Sequence, residues 1–497
     1  PRPGRDCGSG PGGPVKVNAT DWLLLSPELF LTFAGMVLLA SSVFVSKAKE
    51  ELFGFLSVLL LGITGALLVF VSTMPERAHG PILGGMFVVD NFALFFKFLV
   101  LLAMILTVLA SVRFVGEAPY PGGEYYALVL FSGVGMFFMA SGSNLISIYV
   151  ALELMALASY VLAGYFKGEL KSTEAALKYF ILGAFSSAVL LYGLSLVYGL
   201  GGKMGLADLA QFYTGTARTN AIVLGILMIL AGLLFKIAAV PFHLWTPDVY
   251  EGSPTPVTAF FSVGPKVAAY AIFARIFYIA FPKFQADWGL IVALVAAATM
   301  IWGNLAALLQ TNVKRMFAYS SIAHAGYALL GVLGFQTKFG MWGVLVYLLA
   351  YTLMNFGAFG LIIFLEGKGY AAESVSDFNG LAKRNMPAAV VMLLFLLSLA
   401  GIPPTAGFIG KYYLFTAAMD AGYAWLAVIA VLASAVSLFY YFRIAAAMFF
   451  TDGSSAKIPA SYALTAAVVI CAVGTLVIGV APERVLDVLR QCVPSKY

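Results

Sequence analysis

Charge is scarce in this sequence: Asp, Glu, Lys and Arg together make up 10% of its 497 residues, where a soluble domain carries roughly a quarter. That scarcity excludes a water-soluble fold. Cysteine is scarcer still, and Cys7, Cys471 and Cys492 stand too far apart to offer the close pairs that hold zinc or an iron–sulfur cluster. Histidine is limited to His79, His243 and His324, one in an expected loop and two on distant helices, which argues against paired haem ligation. The chain is therefore expected to hold no metal or redox centre of its own.

What the sequence has instead is apolar side chains, 62% of the total. They fall into runs of about twenty residues bounded by charge or Gly/Pro clusters, the pattern of helices crossing a bilayer core about 30 Å thick. A transmembrane β-barrel would alternate apolar and polar residues, and runs such as Leu56 to Val71 do not. Fourteen spans are expected, at 23–45, 52–73, 90–112, 124–141, 144–166, 174–200, 219–250, 254–281, 287–309, 313–335, 339–366, 387–418, 422–450 and 461–481. The Gly- and Pro-rich segment 1–20 has no apolar core and reads as a disordered tail.

Basic residues outside the spans divide unevenly. Loops after odd-numbered spans carry Lys47, Lys49, Arg113, Lys167, Lys171, Lys314, Arg315, Lys368, Lys383, Arg384 and Lys457, whereas loops after even-numbered spans carry Arg77, Lys203, Arg218, Lys283 and Lys338. The positive-inside rule makes the first set cytoplasmic, which puts both termini on the outer face.

Ionisable residues deep in a span cost about 3 kcal/mol or more unless they face a polar interior, so each is a functional candidate. Snorkelling of a long side chain near a span end is the bland alternative. Lys97, Arg275 and Arg443 lie near span ends and read as snorkelling or locally paired, Lys97 as the former. Glu28, in the first turns of the opening span, reads as an acid complementing the helix dipole. Lys178 sits about one turn into its span and is undecided between the two readings. Lys266 stands mid-span with no easy route to either surface. Glu153 is the one acid at such depth, and a buried carboxylate stays charged only beside a cation, so it needs Lys236 or Lys266 near it.

Lys236 precedes Pro241, and Lys411 follows the Ala400-Gly-Ile-Pro-Pro-Thr-Ala-Gly stretch. Proline removes a donor and clashes with the preceding turn, so both spans should be broken beside a lysine; broken helices at that depth line cavities or are covered by protein. Two such breaks point to an internal repeat of five helices, spans 4–8 and 9–13, inverted because five is odd. The expected organisation is a tail (1–20), three helices (21–115), two repeats (116–285 and 286–450) and a final helix and tail (451–497). His324, in a span also carrying Ser320, Ser321 and Tyr327, falls near the place of Glu153 in the other copy and is a relay candidate. His243 lines the exit from its break, Ser262 and Tyr270 share a helix face with Lys266, and Asp248 and Glu251 read as structural loop residues. An amine in a low-dielectric site can lose and regain a proton, so these lysines form a switchable relay for protons or other small cations.

Three stretches carry a resemblance: Phe235 to Ala268, with its Thr246-Pro-Asp-Val-Tyr-Glu-Gly run; Arg315 to Tyr327; and Leu399 to Lys411. They resemble the subunit N family of proton-pumping NADH-quinone oxidoreductase (respiratory complex I), an antiporter-like membrane subunit family, and the likeness runs from the first span to the last. It implies an all-α membrane fold of fourteen helices with two inverted five-helix repeats and discontinuous seventh and twelfth helices. It also implies proton-path residues at Glu153, Lys178, Lys236, Lys266 and Lys411. NADH, flavin, iron–sulfur clusters and quinone would then belong to other subunits, the partners would be complex I membrane subunits, lipid and protons, and the location a bacterial inner membrane. The lysine in the twelfth helix favours N over the related subunits M and L. A cation/proton antiporter using the same buried residues is the rival reading, and a membrane subunit that conducts nothing is a third.

Overall fold

The structure is a computed structural model, in which residues 17–44, 50–75, 79–117, 120–366, 372–453 and 461–492 are described. Residues 1–16 of the expected tail lie outside these, as do Lys47, Lys49, Arg77, Lys368 and Lys457. Ala19 and Thr20, expected in the tail, instead open a short helix, Ala19–Leu24.

The principal helices, in chain order, are α1 (Ser26–Ser42), α2 (Glu50–Ser72), α3 (Asn91–Gly116), α4 (Gly122–Ser141), α5 (Leu145–Ala163), α6 (Leu170–Gly201), α7 (Asn220–Lys236) and α8 (Trp245–Gly252). They continue with α9 (Thr255–Ala274), extended by a π-helical turn over Arg275–Ala280, then α10 (Gln285–Leu308), α11 (Val313–Leu333) and α12 (Gly340–Leu365). The last are α13 (Met386–Ala400), α14 (Ala406–Asp420), α15 (Ala424–Phe450), α16 (Tyr462–Val480) and the short α17 (Pro482–Arg490). Among the described residues, eleven helices are long and apolar enough to cross a membrane. Three shorter apolar helices, α1, α7 and α13, stand where the first span and the two broken spans are expected.

Helices dominate because a bilayer offers no water to the backbone, so each segment must satisfy its own N–H and C=O groups. The exposed first turns are closed by side chains: Asp90 accepts from the Ala93 amide at 2.7 Å, and Asn144, Thr219, Asn312, Asn385 and Ser461 cap their helices in the same way. Further elements not foreseen include an antiparallel hairpin of β1 (Gly80–Ile82) and β2 (Phe87–Val89) and a ten-residue helix at Leu206–Gly215. Lys314 and Arg315, counted above among loop residues, lie in the first turn of α11, with Lys314 buried against the Ser253 carbonyl at 2.8 Å.

Helix α9 is buried along its whole length among α3, α4, α5 and α12. Two close crossings rest on glycine: a Cβ on Gly135 of α4 would meet the Met155 nitrogen of α5 at 2.4 Å, and one on Gly303 of α10 would meet the Ala323 nitrogen of α11 at 2.7 Å. Small residues let backbones approach where lipid supplies no hydrophobic drive for helix association.

Candidate proton-transfer site

Both predicted breaks are present. Helix α7 ends at Lys236, and the chain unwinds through Ala238, whose φ is 63°, before α8 starts at Trp245. The groups this frees are satisfied locally: Trp245 Nε1 donates to the Phe235 carbonyl at 3.1 Å, and Thr299 accepts from the Val240 amide at 3.0 Å. The Lys236 ammonium is buried, and its acceptors among the described residues are the hydroxyls of Ser187 at 3.4 Å and Tyr160 at 3.5 Å.

The second break is closed by its own lysine. From α14, Lys411 donates to the carbonyls of Leu399 at 2.9 Å and Ala400 at 3.0 Å and to Ser434 at 2.7 Å. A cation here meets the negative end of the α13 dipole. Gly401 is needed twice over, by its φ of 88° and because a Cβ would come within 2.9 Å of the Lys411 side chain.

Between the breaks, Lys266 lies in α9 directly after Pro265 and donates to the Ser321 carbonyl at 2.9 Å and its hydroxyl at 2.5 Å. Ser321 is a hub, because Tyr351 donates to its hydroxyl at 2.9 Å and the Tyr250 hydroxyl lies 3.3 Å away. The Tyr351 ring is 5.2 Å from that of His324, which bonds Tyr347 at 2.6 Å and Tyr441 at 3.3 Å. The His324 ring is 5.6 Å from the Tyr327 ring, over which Lys411 sits at 4.7 Å. Hydroxyls and an imidazole thus fill the interval from Lys266 to Lys411, groups that can each accept and donate a proton. Tyr160, Tyr179, Trp245 and Tyr250 form the layer between Lys236 and Lys266.

Glu153 is half-buried on α5 beside the exposed Val150, Leu154 and Leu157, and its Oε1 has no hydrogen-bond partner. It makes no ion pair among the described residues, with Lys236 or with Lys266.

Lys178 lies at the rim, in a chain of charges. Its ammonium is 2.7 Å from Glu174 and 2.6 Å from Asp248; Asp248 meets Arg315 at 2.8 Å, Arg315 meets Glu251 at 2.9 Å, and Glu251 meets Lys171 at 3.2 Å. Asp248 and Glu251 are therefore helical members of an ionic network, rather than loop residues, and the network lines a cavity of about 170 Å³. Sequence reasoning missed this grouping, since its members come from α6, α8 and α11.

Two further assignments are corrected. Lys97 does not snorkel and Glu28 does not serve the helix dipole alone: the two meet at 2.5 Å, both fully buried, between α3 and α1. Arg275 is paired too, bidentate to Asp90 at 2.7 and 3.1 Å. His243 is buried with its Nδ1 unpartnered. No group of three His, Cys, Asp or Glu able to hold a metal occurs among the described residues.

Buried amines at two helix breaks, with aromatic rings, hydroxyls and an imidazole packed between them inside a helical membrane bundle, define the class of antiporter-like membrane subunits. Residues 142–437 match the family described as NADH:quinone oxidoreductase/Mrp antiporter, TM. The chain is 45% identical to NADH-quinone oxidoreductase subunit N of Trichlorobacter lovleyi, over 95% of this chain and 96% of that one. It superposes on a chain of respiratory complex I from Thermus thermophilus with bound aureothin at a TM-score of 0.80 and 34% identity, covering 94% and 99% of the two chains. A chain of the Mrp complex from Dietzia sp. DQ12-45-1b shares the fold, at a TM-score of 0.81 and 24% identity, covering 97% and 98%. The chain belongs to the NADH:quinone oxidoreductase/Mrp antiporter family and, within it, to the NADH-quinone oxidoreductase subunit N group.

Proposed function

We propose that this chain carries protons across the membrane through Glu153, Lys178, Lys236, Lys266, His324 and Lys411, as a membrane subunit of complex I whose redox cofactors sit on other subunits. The observation that supports the reading is the succession of hydroxyls and an imidazole packed between Lys266 and Lys411, hydrogen-bonded from Lys266 through Ser321 to Tyr351 and continued by ring contacts through His324 and Tyr327. The ionic cavity at Lys178, Asp248 and Glu251 is the mouth on the cytoplasmic face. Tyr250, which follows Val249 in α8 and reaches Ser321, leads from it to Lys266. Lys236, held only by long contacts to hydroxyls, responds to the position of Glu153: while the two are close the ammonium keeps its proton, and separation releases it.

With α1, α7–α8 and α13–α14 counted as spans there are fourteen crossings, with both termini on the outer face. The repeats over 116–285 and 286–450 find support in a constant register. Gly135 and Gly303, the helix-capping Asn144 and Asn312, and Arg275 and Arg443 are each separated by 168 residues. The same shift takes Lys266 onto Ser434, the partner of Lys411, and Glu153 onto Ser321. His324 is thus not the counterpart of Glu153, although it stays in the relay.

The test is Lys266→Ala in the assembled complex in proteoliposomes. Electron transfer from NADH to quinone is expected to continue while proton uptake per electron falls; an unchanged ratio would take Lys266 off the path. The antiporter alternative gains only if the purified chain, free of redox partners, exchanges Na⁺ for H⁺ in liposomes.

A further inference from the structure

We infer that Arg275 and Arg443 are a matched pair of closing guanidinium groups, each sealing one end of its own repeat. The inference rests on the proton path proposed above. Both arginines lie about five turns into the last helix of their repeat, α9 with its π-turn and α15. Each reaches the carbonyl end of the first helix of its own repeat. Arg275 Nε donates to the Ala140 carbonyl at 3.0 Å, one residue before the end of α4. Arg443 Nη1 donates to the carbonyl of Leu308, the last residue of α10, at 3.2 Å, and its Nη2 donates to that of Gln310. The targets obey the register of the arginines, because Ala140 and Leu308 are also 168 residues apart.

The last carbonyls of a helix have no partner within it and carry the negative end of its dipole. Left open at a bundle end, they are acceptors on which a file of water can assemble. A guanidinium occupies them and adds a charge that does not titrate in the working range, and a fixed cation in a narrow path excludes protons and other cations. Five crossings separate the two sites, so one seal faces outward and the other inward. The ionic cavity lies at the opposite end of the first repeat from Arg275.

The seals differ in one respect. Arg275 is fully buried, neutralised by Asp90 and stacked over Phe92 at 4.9 Å. Arg443 is partly exposed, has no carboxylate partner among the described residues and keeps its charge, with the Met316 sulfur at 3.8 Å beside it. A proton arriving at Arg443 meets net repulsion, whereas at Arg275 it meets a neutral plug.

The experiment measures passive proton flux into proteoliposomes of the assembled complex, under an imposed pH difference with the potential clamped and no electron donor. Arg443→Gln is expected to raise that flux several-fold while leaving NADH-to-quinone electron transfer at the parental rate, and Arg443→Lys to hold it at the parental level. The paired change Asp90→Asn with Arg275→Gln removes both charges of the outward plug and is expected to leak as well. Parental flux in either assembled uncharged variant overturns the inference for that end. If Lys266→Ala stops pumping while these variants do not leak, the seals fail and the relay stands. If Lys266→Ala pumps normally while they leak, the relay fails and the seals stand.

Discussion

Lys97 and Lys236 are both hidden within apolar helices, yet Lys97 has the Glu28 carboxylate against it at 2.5 Å whereas Lys236 has only hydroxyls at 3.4 Å and beyond. The first belongs to the three N-terminal helices, the second to a helix break. A lysine in contact with its counter-ion is a fixed structural charge, and one without has a proton it can give up. Lys411 is intermediate, since two freed carbonyls and a serine hold it while no carboxylate among the described residues pairs with it. Under the relay proposed above, burial alone does not single out the residues that exchange protons; the chemistry of the acceptor does.

The largest effect should come from splitting the paired lysine from its acid. Lys97→Met alone leaves Glu28 buried without a cation and is expected to cost about 3–5 kcal/mol, measured as thermal unfolding of the complex. The double variant Glu28→Leu with Lys97→Met should recover most of that loss and pump at the parental ratio. A double variant as unstable as the single one would mean that the pair is not what holds α1 to α3.

Lys411→Ala comes next. It strands the Leu399 carbonyl, while that of Ala400 keeps the Ser434 hydroxyl at 2.9 Å, and about 1–3 kcal/mol of stability should go with the pumping. Ser434→Ala, which removes one of the three acceptors, should cost about 1 kcal/mol in the same unfolding measurement.

Lys236→Ala should barely move stability, by less than about 1 kcal/mol for contacts so long, while proton uptake per electron collapses. A large stability loss there would erase the distinction drawn from Lys411. The smallest and most discriminating effect is the coupling of Glu153 to Lys236. Glu153→Gln should lower pumping on its own and add little to Lys236→Ala, since residues in one electrostatic unit are not additive; additive losses would mean that the carboxylate acts elsewhere.

The bilayer-crossing character, the two breaks and the deep placement of Lys266 were legible in the sequence. Apolar length, proline and an isolated lysine each act locally, and local rules carry them from residue to structure. The partners were not legible. Glu28 and Lys97 are 69 residues apart in the chain, and each alone reads as a span-end residue of the ordinary kind. Ser321 was noticed only as part of a polar span, and its place at the meeting of Lys266, Tyr250 and Tyr351 depends on α8, α9, α11 and α12 converging.

By itself, then, the sequence determined that this chain lives in a membrane and where its helices must be interrupted, because hydration cost and proline sterics need no knowledge of neighbours. The tertiary structure alone decided which ionisable groups are neutralised, which cap a broken helix and which meet only hydroxyls. Charge pairing depends on distances of a few ångströms between segments far apart in the chain, and only the packing of the helices sets those distances.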